Sequence, residues 1–138
     1  MGTIDMTAMR YINLLDRIAR VKTRKCFVHN NVIFFAVNKE EVSKAIGPAA
    51  INIRRIQEQI GKKIKIIRED EGLGDIKRFI EDVVSPIRPK AVEVSNGIVT
   101  ITAGNNQNKA SLIGRNKRRF LELKKVIHDT YNLDLKII

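Results

Sequence analysis

The sequence predicts an α+β fold made of two similar halves. Three features indicate this: an internal repeat, a hairpin signal in each half, and short alternations of apolar residues that follow amphipathic helices. Aligning Gly47 with Gly114 brings AIGPAAINIRRIQEQI into step with LIGRNKRRFLELKKVI. Self-similarity of this kind indicates that one supersecondary unit is used more than once, so each half should contain the same elements.

Each half begins with an amphipathic helix. Apolar side chains three and four positions apart share one side of a helix. They recur in this way in MTAMRYINLLDRIARVK and in DIKRFIEDVV: Ala8, Ile12, Leu15 and Ala19 in the first half, and Ile76, Phe79, Ile80 and Val83 in the second. We therefore predict a helix with a single buried face at the start of each half.

A β-hairpin should follow each of these helices. The second half contains AVEVSNGIVTITA, in which Asn96-Gly97 lies between two apolar runs. Asn-Gly is the strongest short hairpin signal, because both central residues of a type I′ turn need positive φ. The first half contains KCFVHNNVIFFAV, with Asn30-Asn31 at the corresponding place. Two antiparallel strands are expected in each half.

After the hairpin, each half is expected to continue with a short helix, a glycine turn, a longer helix and a third strand. The longer helices carry matching apolar stripes: Ile53, Ile56 and Ile60 in the first half, and Phe120, Leu123 and Ile127 in the second. The third strands are the alternations KKIKIIR and NLDLKII. The acidic, glycine-containing segment EDEGLGD joins the halves, and we place the domain boundary there, with a first domain at residues 1–70 and a second at 71–138.

The charge balance indicates a polyanionic partner. The 138 residues carry a formal net charge of +11, and 43% of them are hydrophobic, which is enough for a folded core. Residues 1–71 hold 14 Lys and Arg against 8 Asp and Glu, and residues 72–138 hold 12 against 7. Both halves are therefore basic, which favours nucleic acid as the ligand and argues against a charged tail on a neutral domain.

The sequence shows no constellation for catalysis or metal binding. Cys26 is the single cysteine, and His29 and His128 are the two histidines, so neither a nucleophile with its base nor a metal ligand set is visible. We expect His29 at the hairpin surface and His128 at a helix end. We predict a protein that is not an enzyme, with no catalytic residues, metal, cofactor or small-molecule substrate. Its apolar runs are too short to span a bilayer, so we expect no membrane partner and a cytoplasmic location.

The second glycine turn is followed by a dense group of cations. Arg115, Lys117, Arg118 and Arg119 come within five positions after Gly114. Cations at the start of a helix oppose the helix dipole, so an anion is needed to compensate. A helix N-terminus presents backbone N–H groups, and glycine admits a phosphate close to the backbone. The sequence therefore predicts that the turns bind nucleic-acid phosphates.

The order of elements and the two turns resemble the KH module, whose GXXG loop clamps the backbone of about four single-stranded nucleotides. The resemblance is carried by IGPAAINI (Ile46–Ile53), IGRNKRRF (Ile113–Phe120) and KCFVHNNVIFFAV. The helix and hairpin ahead of each turn are similar to those of the type II variant, and the tandem resembles the archaeal NusA-like transcription factors. The resemblance implies two tandem type II KH domains, each a three-stranded mixed sheet covered by helices.

The resemblance also implies which residues contact RNA. The two phosphate-binding turns are Gly47, Pro48, Ala49 and Ala50 in the first half, and Gly114, Arg115, Asn116 and Lys117 in the second. The supporting cations are Lys44, Arg54, Arg55, Arg118 and Arg119. Ile46 and Ile113 would contribute to the floor of a groove for the bases. Ile53 and Phe120 are candidates for the same floor and equally for the core.

Both turns depart from the GXXG pattern at its closing glycine. Ala50 occupies that position in the first turn and Lys117 in the second. A methyl group needs little room at Ala50, and the Lys117 side chain could swing outward and pair with a phosphate. The alternative is that the turns hold the fold together while the RNA site has decayed.

We predict a single-stranded RNA-binding factor of transcription elongation or termination, with single-stranded RNA as its partner and RNA polymerase as a further candidate. A ribosomal or ribosome-assembly KH protein is one alternative, and a protein-interaction scaffold with degenerate KH domains is another. Replacing Gly114 and Lys117 by Asp is expected to abolish RNA binding and to leave the melting temperature nearly unchanged.

Overall fold

The computed structural model describes residues 6–138, and its contacts divide the chain into two compact units. The first unit ends at Asp70, and the second runs from Glu71 to Ile138. The predicted first domain starts at residue 1, and its residues 1–5 lie outside the described part of the chain.

The first unit follows the predicted order of helix, two strands, short helix, glycine turn, helix and strand. Its elements are α1 (Met6–Ala19), β1 (Lys25–His29), β2 (Val32–Val37), α2 (Val42–Ile46), α3 (Ile51–Ile60) and β3 (Ile64–Arg68). Short 3-10 turns lie at Lys39–Glu41, ahead of α2, and at Pro48–Ala50, between α2 and α3.

The second unit repeats this order. Its elements are α4 (Ile76–Val84), β4 (Ala91–Ser95), β5 (Ile98–Thr102), α5 (Asn106–Ile113), α6 (Arg118–Tyr131) and β6 (Asp134–Ile137). Short 3-10 turns lie at Leu73–Asp75, ahead of α4, and at Arg115–Lys117, between α5 and α6.

Each unit contains a three-stranded mixed sheet within the described residues. In the first, β2 is central, antiparallel to β1 and parallel to β3, with Phe35 opposite both Cys26 and Ile66. In the second, β5 is central, antiparallel to β4 and parallel to β6, with Val99 opposite Val94 and Leu135. The predicted α+β class, with a three-stranded mixed sheet and covering helices in each of two units, is confirmed.

The core of the first unit lies between one face of its sheet and the helices α1, α2 and α3. Leu15, Phe35 and Ile56 are fully buried and belong to one apolar cluster. Alternate residues of a strand point to the same face, so Ile33 and Val37 join Phe35 in that cluster. Burial of each large apolar side chain stabilises the fold by about 1.5–3 kcal/mol.

The predicted apolar face of α4 is buried in the second unit. Its members are Ile76, Phe79, Ile80 and Val83. The Phe79 ring meets Tyr131 edge to face, with the ring centroids 5.9 Å apart. Arg78 of α4 pairs with Asp75, the residue just ahead of the helix, and, at 2.8 Å, with Asp82 one turn further on. The hydrogen bond to Asp75 is the main reason that the Arg78 pKa lies above its ordinary value.

Both hairpins turn at the predicted residues. Asn30, Asn31, Asn96 and Gly97 all have positive φ, from 51° to 75°, as a type I′ turn requires. The expectation that His29 lies on the hairpin surface is wrong, because its side chain is buried. His29 lies on the sheet face that carries Phe34, and the two rings meet edge to face at 6.4 Å. Among residues 6–138, no helix is long and apolar enough to cross a membrane.

Candidate nucleic-acid interface

The two glycine turns have nearly the same backbone although their sequences differ. Gly47 has φ 78° and ψ 166°, and Gly114 has φ 76° and ψ 173°. The third residue of each turn is left-handed, with φ 51° at Ala49 and 56° at Asn116. The fourth residues are left-handed as well. The sequences GPAA and GRNK therefore fold into one shape.

The first position of each turn requires glycine. Its φ and ψ fall in a region that residues with a side chain hardly populate. A Cβ on Gly47 would lie 2.8 Å from Asn52 Nδ2, and a Cβ on Gly114 would lie 2.8 Å from Arg119 Cγ. This geometry contradicts the expectation that Gly114→Asp leaves the melting temperature nearly unchanged, since any side chain there strains the turn.

At the fourth position of each turn, where the GXXG pattern has glycine, the backbone conformation rather than the space for a side chain is what favours glycine. Ala50 has φ 58° and Lys117 has φ 59°, which is the left-handed region. An L-residue with a Cβ is less stable there by roughly 1–2 kcal/mol, which is the physical reason for a glycine in the GXXG pattern. Both turns adopt the shape without that glycine. The Lys117 side chain is exposed.

Some backbone amides of the turns are used internally. The amide of Ala50 donates to Gly47 O at 3.1 Å, and that of Lys117 donates to Gly114 O at 3.2 Å. Pro48 has no amide hydrogen. Among the described hydrogen bonds, none uses the amides of Ala49, Arg115 or Asn116, whose residues are exposed. Among the described hydrogen bonds, the second turn thus leaves two adjacent amides unused and the first turn leaves one.

The cations around the turns are exposed, with one exception. Exposed members of the predicted set are Lys44, Arg54, Arg55, Arg115, Lys117 and Arg118. Arg119 is only partly exposed, and its Nη1 donates to Ser111 O at 3.0 Å. Within residues 6–138, none of these cations forms an ion pair with a carboxylate. Their charge is therefore available to a ligand, and it is densest at the second turn.

The apolar candidates beside the turns are partly buried. Ile46 and Ile53 pack against the core cluster of the first unit. Ile113 and Phe120 are partly buried in the second unit, and Lys124 Nζ lies 5.9 Å from the centre of the Phe120 ring. These side chains belong to the edge of the core and keep some exposed surface. A role in contacting bases stays a prediction.

A groove that the sequence does not predict lies along α6 between Leu121 and His128. Its volume is about 540 Å³, and its lining contains none of the predicted RNA-binding residues. The lining residues are Gly97, Leu121, Lys124, Lys125, His128, Asn132, Leu133 and Asp134. A hydrogen bond from the Leu135 amide and the nearby Lys124 hold the pKa of Asp134 below its usual range. Leu121 is 56% exposed. The available sequence signal was a leucine outside the apolar stripe of this helix, with Lys124 and Lys125 about one turn further on.

The described residues contain no group of three or more His, Cys, Asp and Glu side chains that could hold a metal ion.

Comparison with known proteins identifies similar archaeal chains. No model of a protein family matches the sequence. Three curated proteins named "Probable transcription termination protein NusA" match it at low identity. The chain is similar to archaeal proteins of that name. The predicted resemblance to the archaeal NusA-like proteins is thus confirmed.

The three matches cover different shares of the chains. The protein of Halococcus morrhuae is 24% identical over 99 residues, 72% of this chain and 69% of that protein. The protein of Methanocaldococcus jannaschii is 30% identical over 77 residues, 56% of this chain and 40% of its own length. The protein of Methanococcus vannielii is 26% identical over 106 residues, which are 75% of this chain and 60% of that protein. The match thus spans less than two thirds of two of these relatives.

A solved structure has the same fold. The crystal structure of APE1850 superposes with a TM-score of 0.68, covering 98% of this chain and all of that one, at 23% sequence identity. The comparison supports the arrangement of helices and strands over nearly the whole sequence.

Proposed function

We propose that this NusA-like protein binds single-stranded RNA through its two glycine turns and acts in transcription elongation or termination. One observation carries the proposal: two turns with the same backbone each precede a helix, and exposed cations follow one another along the second. The names of the archaeal relatives support the transcriptional role.

The second turn is the stronger phosphate site in this proposal. Arg115 and Asn116 are exposed residues just ahead of α6, where the helix dipole favours an anion, and no described hydrogen bond uses their amides. The side chains of Arg115, Lys117 and Arg118 surround these amides and neutralise the phosphate charge. The bound phosphate in turn offsets the unfavourable placement of cations at a helix N-terminus.

The first turn has a different chemical character. Pro48 and Ala50 leave the Ala49 amide as its exposed donor, and no residue of the turn is charged. Lys44, Arg54 and Arg55 supply charge from the flanking helices. We infer that this turn contributes less affinity and mainly sets the register of the RNA.

In this proposal the protein is not an enzyme and needs no cofactor. RNA polymerase is a candidate partner, and the cytoplasm is the proposed location. A ribosomal or ribosome-assembly role differs from the transcriptional one in its partner, so cofractionation with RNA polymerase or with ribosomes separates them.

Single-stranded RNA binding measured over a salt series tests the proposal. Log affinity should fall linearly with log salt, with a slope of about −0.7 for each phosphate neutralised on a single strand. Replacing Arg115 and Lys117 by Glu should weaken binding and make the slope shallower, because two cations that neutralise phosphates are lost. Both side chains are exposed, so we expect the turn to keep its backbone shape.

A matched control carries the same charge change elsewhere in the second unit. Lys77 lies on α4 and Lys136 on β6, and both are exposed. Replacing these two lysines by Glu should preserve most of the affinity. Equal losses in the two double variants would show that binding follows net charge and not the turn. No binding by the wild-type chain at low salt would favour the scaffold alternative.

A further inference from the structure

In both units, a side chain from the helix after the turn reaches back to the helix before it. Asn52 Nδ2 donates to Lys44 O at 3.0 Å in the first unit. Arg119 Nη1 donates to Ser111 O at 3.0 Å in the second. Each donor is the second residue of its helix, and each acceptor lies three residues before the glycine. Two chemically different side chains thus make the same connection, which we name the brace.

The brace satisfies a carbonyl that the backbone leaves without a donor. In the first unit, the Gly47 amide donates to Ser43 O, and the next carbonyl, that of Lys44, would need the amide of residue 48. That residue is proline, which has none. In the second unit the chain bends at Gly114, so the Arg115 amide does not continue the helix to Ser111 O. The last carbonyls of a helix need such outside donors.

The glycine and the brace belong to one device. The Asn52 and Arg119 side chains pass directly over the Cα atoms of Gly47 and Gly114, since a Cβ there would meet them at 2.8 Å. The first glycine is therefore needed for two reasons, its backbone angles and the space that the brace occupies.

The remaining turn residues do not explain the shared shape. Positions two to four are Pro-Ala-Ala in one turn and Arg-Asn-Lys in the other, yet both hold two consecutive non-glycine residues at positive φ. Such residues are unfavourable in this region unless the surrounding structure determines it. Besides the backbone hydrogen bonds of the turn itself, the two turns share the glycine and the side-chain brace.

We propose that Asn52 and Arg119 are positioning residues, which hold the turns in the shape that presents the Ala49 and Asn116 amides to an RNA phosphate. This inference rests on the proposed function. Arg119 combines two roles, because its guanidinium is charged and also donates the hydrogen bond of the brace. Asn52 performs the positioning role alone.

Four variants separate the brace from charge. Asn52→Ala removes a brace without changing charge, and Gln59→Ala is its control on the exposed side of α3. Arg119→Asn restores the brace of the first unit without the charge, whereas Arg119→Ala removes both. The measurements are affinity for a labelled, mixed-sequence single-stranded RNA of about ten nucleotides over a salt series, and the NMR shifts of the Ala49 and Asn116 amides.

The expected results differ for each variant. Asn52→Ala should bind about three- to tenfold more weakly, the effect of losing one hydrogen bond, with an unchanged salt slope and a shifted Ala49 amide signal. Arg119→Asn should make the slope shallower by up to about 0.7 and leave the Asn116 signal in place. Arg119→Ala should bind a further three- to tenfold more weakly, roughly, than Arg119→Asn, with the Asn116 signal moved.

The outcomes distinguish this inference from the function on which it rests. If the wild-type chain binds RNA while Asn52→Ala matches Gln59→Ala and Arg119→Ala matches Arg119→Asn, the positioning role is wrong and the proposed function stands. If the wild-type chain binds no RNA, the proposed function is wrong and the positioning role falls with it.

Discussion

At the scale of single residues, the fourth position of each turn holds a side chain in a conformation that suits glycine. Ala50 and Lys117 have φ of 58° and 59°. A residue with a Cβ destabilises the folded state by about 1–2 kcal/mol when it adopts the left-handed conformation. Glycine avoids this strain but loses more conformational entropy on folding, which costs about 0.5–1 kcal/mol relative to Ala. The two effects leave a net advantage for glycine.

We therefore predict that Ala50→Gly raises the free energy of unfolding by about 0.5–1 kcal/mol. Urea denaturation of the whole chain measures this change. Ala110 provides the opposite control, because it is an exposed residue inside α5. Ala110→Gly should lower the free energy of unfolding by about 1 kcal/mol. A loss of stability in both variants would show that Ala50 is not strained.

At the scale of elements, the two hairpins provide a natural pair for comparison. Both turn through two residues of positive φ, but the first uses Asn30-Asn31 and the second Asn96-Gly97. Glycine is favoured at such positions because it has no Cβ to clash. A Cβ on Gly97 would meet no atom within 4 Å, so only its backbone angle is at issue.

This comparison predicts that Asn31→Gly stabilises the protein by a few tenths to about 1 kcal/mol, whereas Gly97→Asn destabilises it by a similar amount. Asparagine tolerates the left-handed region better than other residues with a side chain, which keeps both effects small. Thermal unfolding followed by circular dichroism measures them. Changes of the same sign in the two variants would contradict the argument.

The order and type of the elements follow from local sequence patterns. The apolar stripe of α4 and the residues of both hairpin turns are found where periodicity and turn chemistry predict them. His29 shows where such reasoning fails. Its position at the end of β1 suggested solvent exposure, but strand alternation places it on the face of Phe34, where its ring is buried. Local patterns locate a residue along a strand and do not show what covers it.

The candidate site was less accessible to sequence reasoning than the fold. The glycine turns and their cations are visible as a repeat, because Gly47 and Gly114 align. The brace is not visible, since Asn52 and Arg119 share no chemistry and act through a backbone carbonyl. The groove beside Leu121 has no counterpart that a repeat could reveal, because the aligned position in the first half is Arg54.

At the scale of the whole molecule, the net charge of +11 alone would attract any polyanion. In the proposed function, binding at the turns is more selective, since KH modules bind strands whose bases are unstacked. The two origins of affinity therefore predict different responses to single-stranded and double-stranded RNA of equal length.

We predict that single-stranded RNA raises the melting temperature of the chain more than a duplex does at the same phosphate concentration. A ligand at about 100 times its Kd stabilises the folded state by about 2.7 kcal/mol. Thermal unfolding with each RNA at moderate salt measures the difference. Equal shifts would indicate that diffuse charge, rather than the turns, accounts for binding.

The common backbone of GPAA and GRNK has a consequence for how the two halves can diverge. The glycine and the brace are the same in geometry in both halves, whereas the three residues that follow the glycine differ completely. One half can therefore gain or lose charge and amide donors by substitution at those three positions while its architecture is preserved. In the proposed function, one copy of such a duplicated module can supply most of the affinity for phosphate while the other sets the register of the RNA, and both keep the same fold.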